Sequence, residues 1–390
     1  MTSSPADSTP EIRPASAPDP TLLLLPAPRP LRVRGEDAEA FLQGQLSADL
    51  RLLGPDRALW SSYNSAKGRM LALPLAMRDG DAIELWLPTE LLSALMRRLQ
   101  MFVLRARVVM TAPAADSAVL GVIGAAAGDW LAARAWPAPA QVMQVTTADG
   151  LRVLRLPGAV PRFLVCGPSL VPDALPAGVP NDDAAELAWR LADIEAGIAR
   201  LTPATQDRWV PQMANLDWLG GISFDKGCYT GQEVVARLHH LGKLKKRMFR
   251  LHGTGAPPAP GTSILDAGGD GQSVGEIVDA VPTDGGFVAS AVLQLALAES
   301  DSLHLAREAA HVGGCAHLGL QARGGAARVG HGAQRHLAGP AGLLVQRLAA
   351  EDGQAVGRRA GAALDLGTND CRVRIAVPGW QGRFKVIVAF

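Results

Sequence analysis

At 390 residues the chain is long enough for two or three domains of roughly 150 residues each, and 48% hydrophobic against 19% charged residues lets most of it build cores. Lys and Arg number 38 and Asp and Glu 37, a net charge of +1. That balance excludes a uniformly basic nucleic-acid coat and a strongly acidic protein, and leaves room for a local basic patch.

Residues 1–28 are rich in Pro, with Ser, Thr and Ala between, and read as a disordered lead-in. The start lacks the basic region and long apolar stretch of a secretory signal. No apolar run approaches the roughly 18 residues of a membrane span. A strand is expected at 31–34. A helix follows, with Glu36 and Asp37 in its first turn, where carboxylates oppose the dipole. It runs through Phe41, Leu42, Gln45, Leu46 and Asp49. Residues 58–63 and 70–77 read as strands around a turn at 64–69, and Asp79-Gly80-Asp81 as a hairpin into a strand at 83–87. Next come a helix at 91–102, mixed elements to about Cys166, and a helix at 182–198. Asn181 or Asp182 suits its N-cap and Gly197 its end. This is an α+β pattern with much antiparallel pairing. From 243 to 305, short strands separated by Gly/Pro/Asp turns suggest a small β-barrel or sandwich.

The tail, 306–390, differs. Nearly half of residues 305–362 are Ala or Gly, five of the eight His lie between 304 and 336, and no aromatic occurs between Phe287 and Trp380. So few large side chains bury little area, and the tail is expected to be disordered. A native flexible tail and a GC-rich stretch read out of frame both account for it. Residues 363–372 resemble the first phosphate loop of the actin-like ATPase superfamily, followed by part of a β-meander, without the remainder of such an enzyme.

The four cysteines, Cys166, Cys228, Cys315 and Cys371, are far apart and form no C-x-x-C. A disulfide scaffold, a zinc ribbon and a self-held iron–sulfur cluster are disfavoured, and a cytoplasmic setting is the expectation. The sharpest chemical feature is Lys226-Gly227-Cys228-Tyr229-Thr230-Gly231-Gln232-Glu233. A helix is expected at 234–241, with Thr230 and Glu233 as its capping box. Cys228 then lies just ahead of a helix N-terminus and two residues from Lys226, and both favour thiolate. The competing reading is a buried, inert Cys. His239 and His240 lie about three turns along the helix, so a Cys–His protease is poorly supported.

Lys226 to Arg237 resembles the K-G-C-Y-x-G-Q-E-V-V-A-R signature of the YgfZ family. Pro211 to Asp217 and Phe41 to Asp49 are similar to two further segments of it. The resemblance runs from about 29 to 305. It implies a folate-binding protein linked to iron–sulfur cluster maintenance and tRNA modification, related to the T-protein (aminomethyltransferase) of glycine cleavage. The implied fold is two α+β subdomains around a central hole (29–242), then a small β-barrel (243–305). The implied cofactor is tetrahydrofolate or a one-carbon derivative. Cys228 and Lys226 would carry the reactive chemistry. Glu195, in a segment similar to the relatives' R-x-E-A-G, would take the pterin edge, although Asp193 stands where they often have Arg. Tyr63, Lys67, Arg69, Tyr229 and Gln232 would complete the folate site. The implied partners are iron–sulfur enzymes or assembly proteins, with the chain acting as a monomer, either transferase-like or accessory. Aminomethyl transfer is the alternative, but Ile198 to Thr205 lacks the carboxylates that follow this segment in the T-protein. A third reading is direct tRNA contact through a basic strip at 237–250, which includes Arg237, Lys243, Lys245, Lys246, Arg247 and Arg250 and no acidic residue.

Overall fold

The computed structural model describes residues 20–112, 118–170, 175, 179–180, 182–266, 271–298 and 303–306, and the backbone of 318–320. The first 19 residues, most of the tail and the phosphate-loop-like segment lie outside the described residues. The first elements are β1 (Thr21–Leu24), β2 (Arg29–Arg34), α1 (Ala38–Gln43), β3 (Leu59–Trp60), β4 (Tyr63–Asn64), β5 (Met70–Ala72), β6 (Leu75–Asp79), β7 (Ala82–Leu87), α2 (Thr89–Gln100) and β8 (Val109–Thr111). Then come β9 (Val119–Ile123), α3 (Ala127–Ala132), β10 (Val145–Ala148), β11 (Leu151–Leu156), β12 (Arg162–Cys166), α4 (Asp183–Glu195) and α5 (Gln232–His240). The last are β13 (Lys246–Gly253), β14 (Ser263–Asp266), β15 (Ser273–Thr283), β16 (Gly286–Gln294), β17 (Leu303–Leu305) and β18 (Leu318–Leu320).

Three antiparallel sheets result, in the orders β3-β6-β7-β2-β8, β1-β9-β12-β11-β10 and β17-β14-β15-β16-β13-β18, with β4-β5 as a separate ribbon. The α+β expectation holds. The lead-in expected at 1–28 is too long, because β1 pairs with β9 from Thr21↔Ile123 to Leu24↔Leu120. Its short leucine run buries Leu23 and Leu25 on the second sheet, which the proline-rich surroundings hid. The barrel also passes its expected end at 305, since β18 pairs with β13 at Leu251↔Leu320.

The strands expected at 58–63 and 70–77 each split in two. Pro74 has no N–H to donate, and its carbonyl instead accepts from the Ser61 N–H at 3.0 Å. β3 then pairs with β6 in the first sheet, while β4 and β5 form the ribbon. α4 begins as its sequence suggests: the Asp182 carboxylate accepts from the backbone N–H groups of Ala184 and Ala185, and Gly197 follows the helix at φ +71°. Such a cap is worth about 1 kcal/mol.

Buried ion pairs fix how the layers meet. Glu84 on β7, 2% exposed, takes Arg32 of β2 at 3.1 Å, Arg152 of β11 at 2.9 Å and the Trp86 indole at 3.1 Å. It therefore joins the first sheet to the second. Arg190 of α4 bonds Asp279 and the Ala280 carbonyl of β15, and Arg247 of β13 pairs with Asp217 at 2.9 Å while lying over the Trp218 ring at 3.8 Å. Both contacts tie the barrel to the α+β region.

Candidate functional site

Cys228 sits in the loop before α5, exposed and unbridged. Cys166 is its opposite: burial pushes that thiol up to about 12, which leaves it inert. The capping box expected at Thr230 and Glu233 does not form. Gly231 takes the N-cap position at φ +78°, without a side-chain cap. It does so because a β-ribbon turn leans on it: a Cβ there would strike the Ser65 carbonyl and come within 2.8 Å of the Gly68 Cα. Gly68, also left-handed at φ +70°, leaves room for Val234 in the same way. The two glycines thus dock the turn carrying Lys67 and Arg69 onto the Cys228 motif.

Lys226 has a different role from the one its place in the sequence suggests. It is 6% exposed, and Nζ donates to the carbonyls of Gln43 at 2.6 Å, Leu46 at 2.7 Å and Ala48 at 2.8 Å. All three ammonium protons are used. Burial pushes its pKa down to about 8, with Asp49 acting in the opposite sense. Beside it, the Ser47 hydroxyl donates to the Gly221 carbonyl at 2.6 Å and accepts from the Ser62 N–H at 2.8 Å. The segment from Phe41 to Asp49 is therefore a cradle for Lys226, and the ammonium holds the loop rather than the thiol.

Of the other expected site residues, Tyr63 is buried, and burial raises its pKa with the Arg98 charge pulling the other way. Lys67 is exposed, and Arg69 donates to the Asp207 carbonyl at 3.3 Å. Tyr229 is 6% exposed with an unpaired hydroxyl, and burial pushes its pKa up to about 12. Gln232 is the half-buried first residue of α5. These residues gather around the Cys228 loop. Glu195 does not join them. It is exposed at the end of α4, with His252 of the barrel in its field. The basic strip at 237–250 loses Arg247, which is 8% exposed and bound to Asp217.

Where the resemblance implies a central hole there is a cleft of about 720 Å³, solvent mouth included, between the first two sheets and α4, and sequence reasoning missed the residues that line it. Trp60, Trp86 and Trp189 wall it, and Asp193 supplies a carboxylate. The buried Trp60 indole N–H has no partner. Asp193 is 21% exposed and faces Arg162 at 2.8 Å. Burial raises its pKa, and Arg162 pulls against that. Arg190 and Arg200 also line the cleft, but carboxylates already hold them: Asp279 for the first, Glu90 and Glu186 for the second. Three tryptophans on elements that the sequence does predict, in a chain with two tyrosines, were the available signal. Neither Glu195 nor any residue of the Cys228 group lines this cleft.

Among the described residues no helix is long and apolar enough to cross a membrane, and no group of three or more His, Cys, Asp or Glu is placed to hold a metal ion. No protein-family model matches the chain. The tRNA-modifying protein YgfZ of Escherichia coli strain K12 is 31% identical over 288 residues, covering 72% of this chain and 86% of that protein. The protein of that name from Colwellia psychrerythraea is 27% identical over 279 residues, covering 71% and 85%. Among solved structures, the glycine cleavage system aminomethyltransferase T from Bartonella henselae matches with a TM-score of 0.61 at 18% identity, over 77% of this chain and 85% of that one. That likeness concerns the fold. With nearly a third of residues identical across most of both chains, on an architecture shared with aminomethyltransferase T, the chain belongs to the YgfZ family of tRNA-modifying proteins.

Proposed function

We propose that the chain is a folate-binding accessory protein that assists iron–sulfur cluster assembly or repair and so supports tRNA methylthiolation. Reduced folate occupies the tryptophan-walled cleft, and Cys228 is the reactive group. The observation that carries this reading is the cleft. A pterin offers a flat ring for aromatic walls and two adjacent N–H donors that suit one carboxylate. Trp60, Trp86 and Trp189 fit the first requirement and Asp193 the second. The unpaired Trp60 N–H fits a ring acceptor. Asp193 replaces Glu195 as the residue for the pterin edge, because Glu195 is absent from the cleft lining. A bound reduced folate would supply a one-carbon carrier.

One exposed thiol offers one ligand, whereas a cluster needs several. Cys228 therefore acts on sulfur or iron held by a partner. A strain lacking the protein, complemented with Cys228→Ser, tests this role. Wild-type chain is expected to restore tRNA methylthiolation and the variant to fail while folding normally. Full rescue by Cys228→Ser would remove the thiol from the function.

A further inference from the structure

The end of α2 and the strand after it carry a surface that neither the cleft nor the Cys228 loop explains. Met101 is 64% exposed, Phe102 46%, Leu104 86% and Val109 63%. Single exposed apolar side chains are ordinary, but a contiguous set marks an interaction surface. The cause is local. α2 buries one stripe of Leu91, Leu92, Leu95 and Leu99, and Met101 and Phe102 fall beyond its last turn. β8 is the outermost strand of its sheet and has its first and third residues exposed.

The segment that carries these residues is basic, with Glu36 and Asp37 beside Arg107 as its acidic neighbours. No Asp or Glu occurs between Glu90 and Asp116, whereas Arg97, Arg98, Arg105 and Arg107 do. Arg107 pairs with Glu36 and Asp37. Arg97 and Arg105 are exposed, with no ion-pair partner among the described residues.

The patch stands apart from the cleft. Leu87 and Pro88, just ahead of α2, line the cleft, and the 12 residues of α2 carry the chain about 18 Å away from it.

We propose that Met101, Phe102, Leu104 and Val109, with Arg97 and Arg105 around them, dock a partner protein whose contact surface is apolar and edged with carboxylates. The surface shares no residue with the cleft or with the Cys228 loop, so the assignment stands apart from the reading given above. Three of the four exposed side chains are aliphatic. Aliphatic chains fill pockets at a protein interface, whereas unpaired bases call for aromatic platforms. Arginines without partners complement carboxylates and raise the encounter rate.

The test places the photoreactive residue p-benzoylphenylalanine at position 104 of the full chain in cells, with exposed position 160, in the loop between β11 and β12, as control. The expected adduct forms at 104 only, resists nuclease and is destroyed by protease. The captured polypeptide, once identified and purified, is expected to bind the chain. Leu104→Asp should weaken that binding by roughly 30-fold, the scale of an interface hot spot. Arg97→Glu with Arg105→Glu should weaken it more at low salt than at high salt. An adduct removed by nuclease, an adduct of two copies of this chain, a lipid adduct, no adduct, or binding unchanged by Leu104→Asp would each overturn the proposal. Folate titration and complementation with Leu104→Asp separate the two readings. Lost docking with normal folate binding and failed complementation supports the surface. Full complementation by Leu104→Asp rejects it even where Cys228 proves essential.

Discussion

Lys226 shows why single-residue roles were only partly legible. Its spacing from Cys228 suggested an ammonium tuning a thiolate, but its partners are carbonyls 178 to 183 positions away, which no local pattern encodes. Lys226→Met leaves those carbonyls unmet, at roughly 1–3 kcal/mol for each buried acceptor. The variant is expected to melt several degrees lower while Cys228 alkylates at nearly the wild-type rate. Slower alkylation with an unchanged melting temperature would return the ammonium to the thiol. Glu195 and Asp193 teach the same lesson. They are two positions apart on α4, roughly 200° around a helix, so at most one can face the cleft. Sequence similarity favoured the first, and the second is the one that lines the cleft.

At the scale of elements, local chemistry predicted well where it acted alone. Asp182 caps α4 and Gly197 ends it, as their residue types suggest. It failed where a distant segment intervened. Thr230 and Glu233 have the spacing of a capping box, but the turn at Ser65 to Gly68 presses on Gly231 and puts a left-handed glycine at the cap. Gly231→Ala adds left-handed strain to a backbone clash, at a cost of roughly 1–3 kcal/mol. It is expected to lower the melting temperature and open the 65–68 turn to protease. A variant as stable and as resistant as wild type would mean that the turn and the Cys228 loop are not coupled. The early start at β1 belongs to the same class, since its pairing partner β9 lies far along the chain.

At the scale of the molecule, the α+β region and barrel were legible from alternating patterns and turn residues, and the lining of the cleft between sheets was not, because its walls come from β3, β7, α4 and the segment after α4. The far end of the barrel gives a direct check. β18 pairs with β13, so a chain ending at 320 is expected to retain the melting temperature and folate affinity of the full chain, and one ending at 305 to lose stability. Equal stability of the two would remove β18 from the barrel. The central functional proposal is folate capture by Asp193. Burial raises its pKa, so the unliganded fold loses stability as pH rises through that value. Ligand capture runs the other way: protonation removes the acceptor, and affinity falls as pH drops, starting above the ordinary aspartate range. Isothermal titration with tetrahydrofolate measures this directly. The account predicts saturable binding by wild type that weakens at low pH, a loss of roughly tenfold or more in Asp193→Asn from one charge-assisted hydrogen-bond site, and no change in Glu195→Gln. No wild-type binding, or a loss confined to Glu195→Gln, would contradict it.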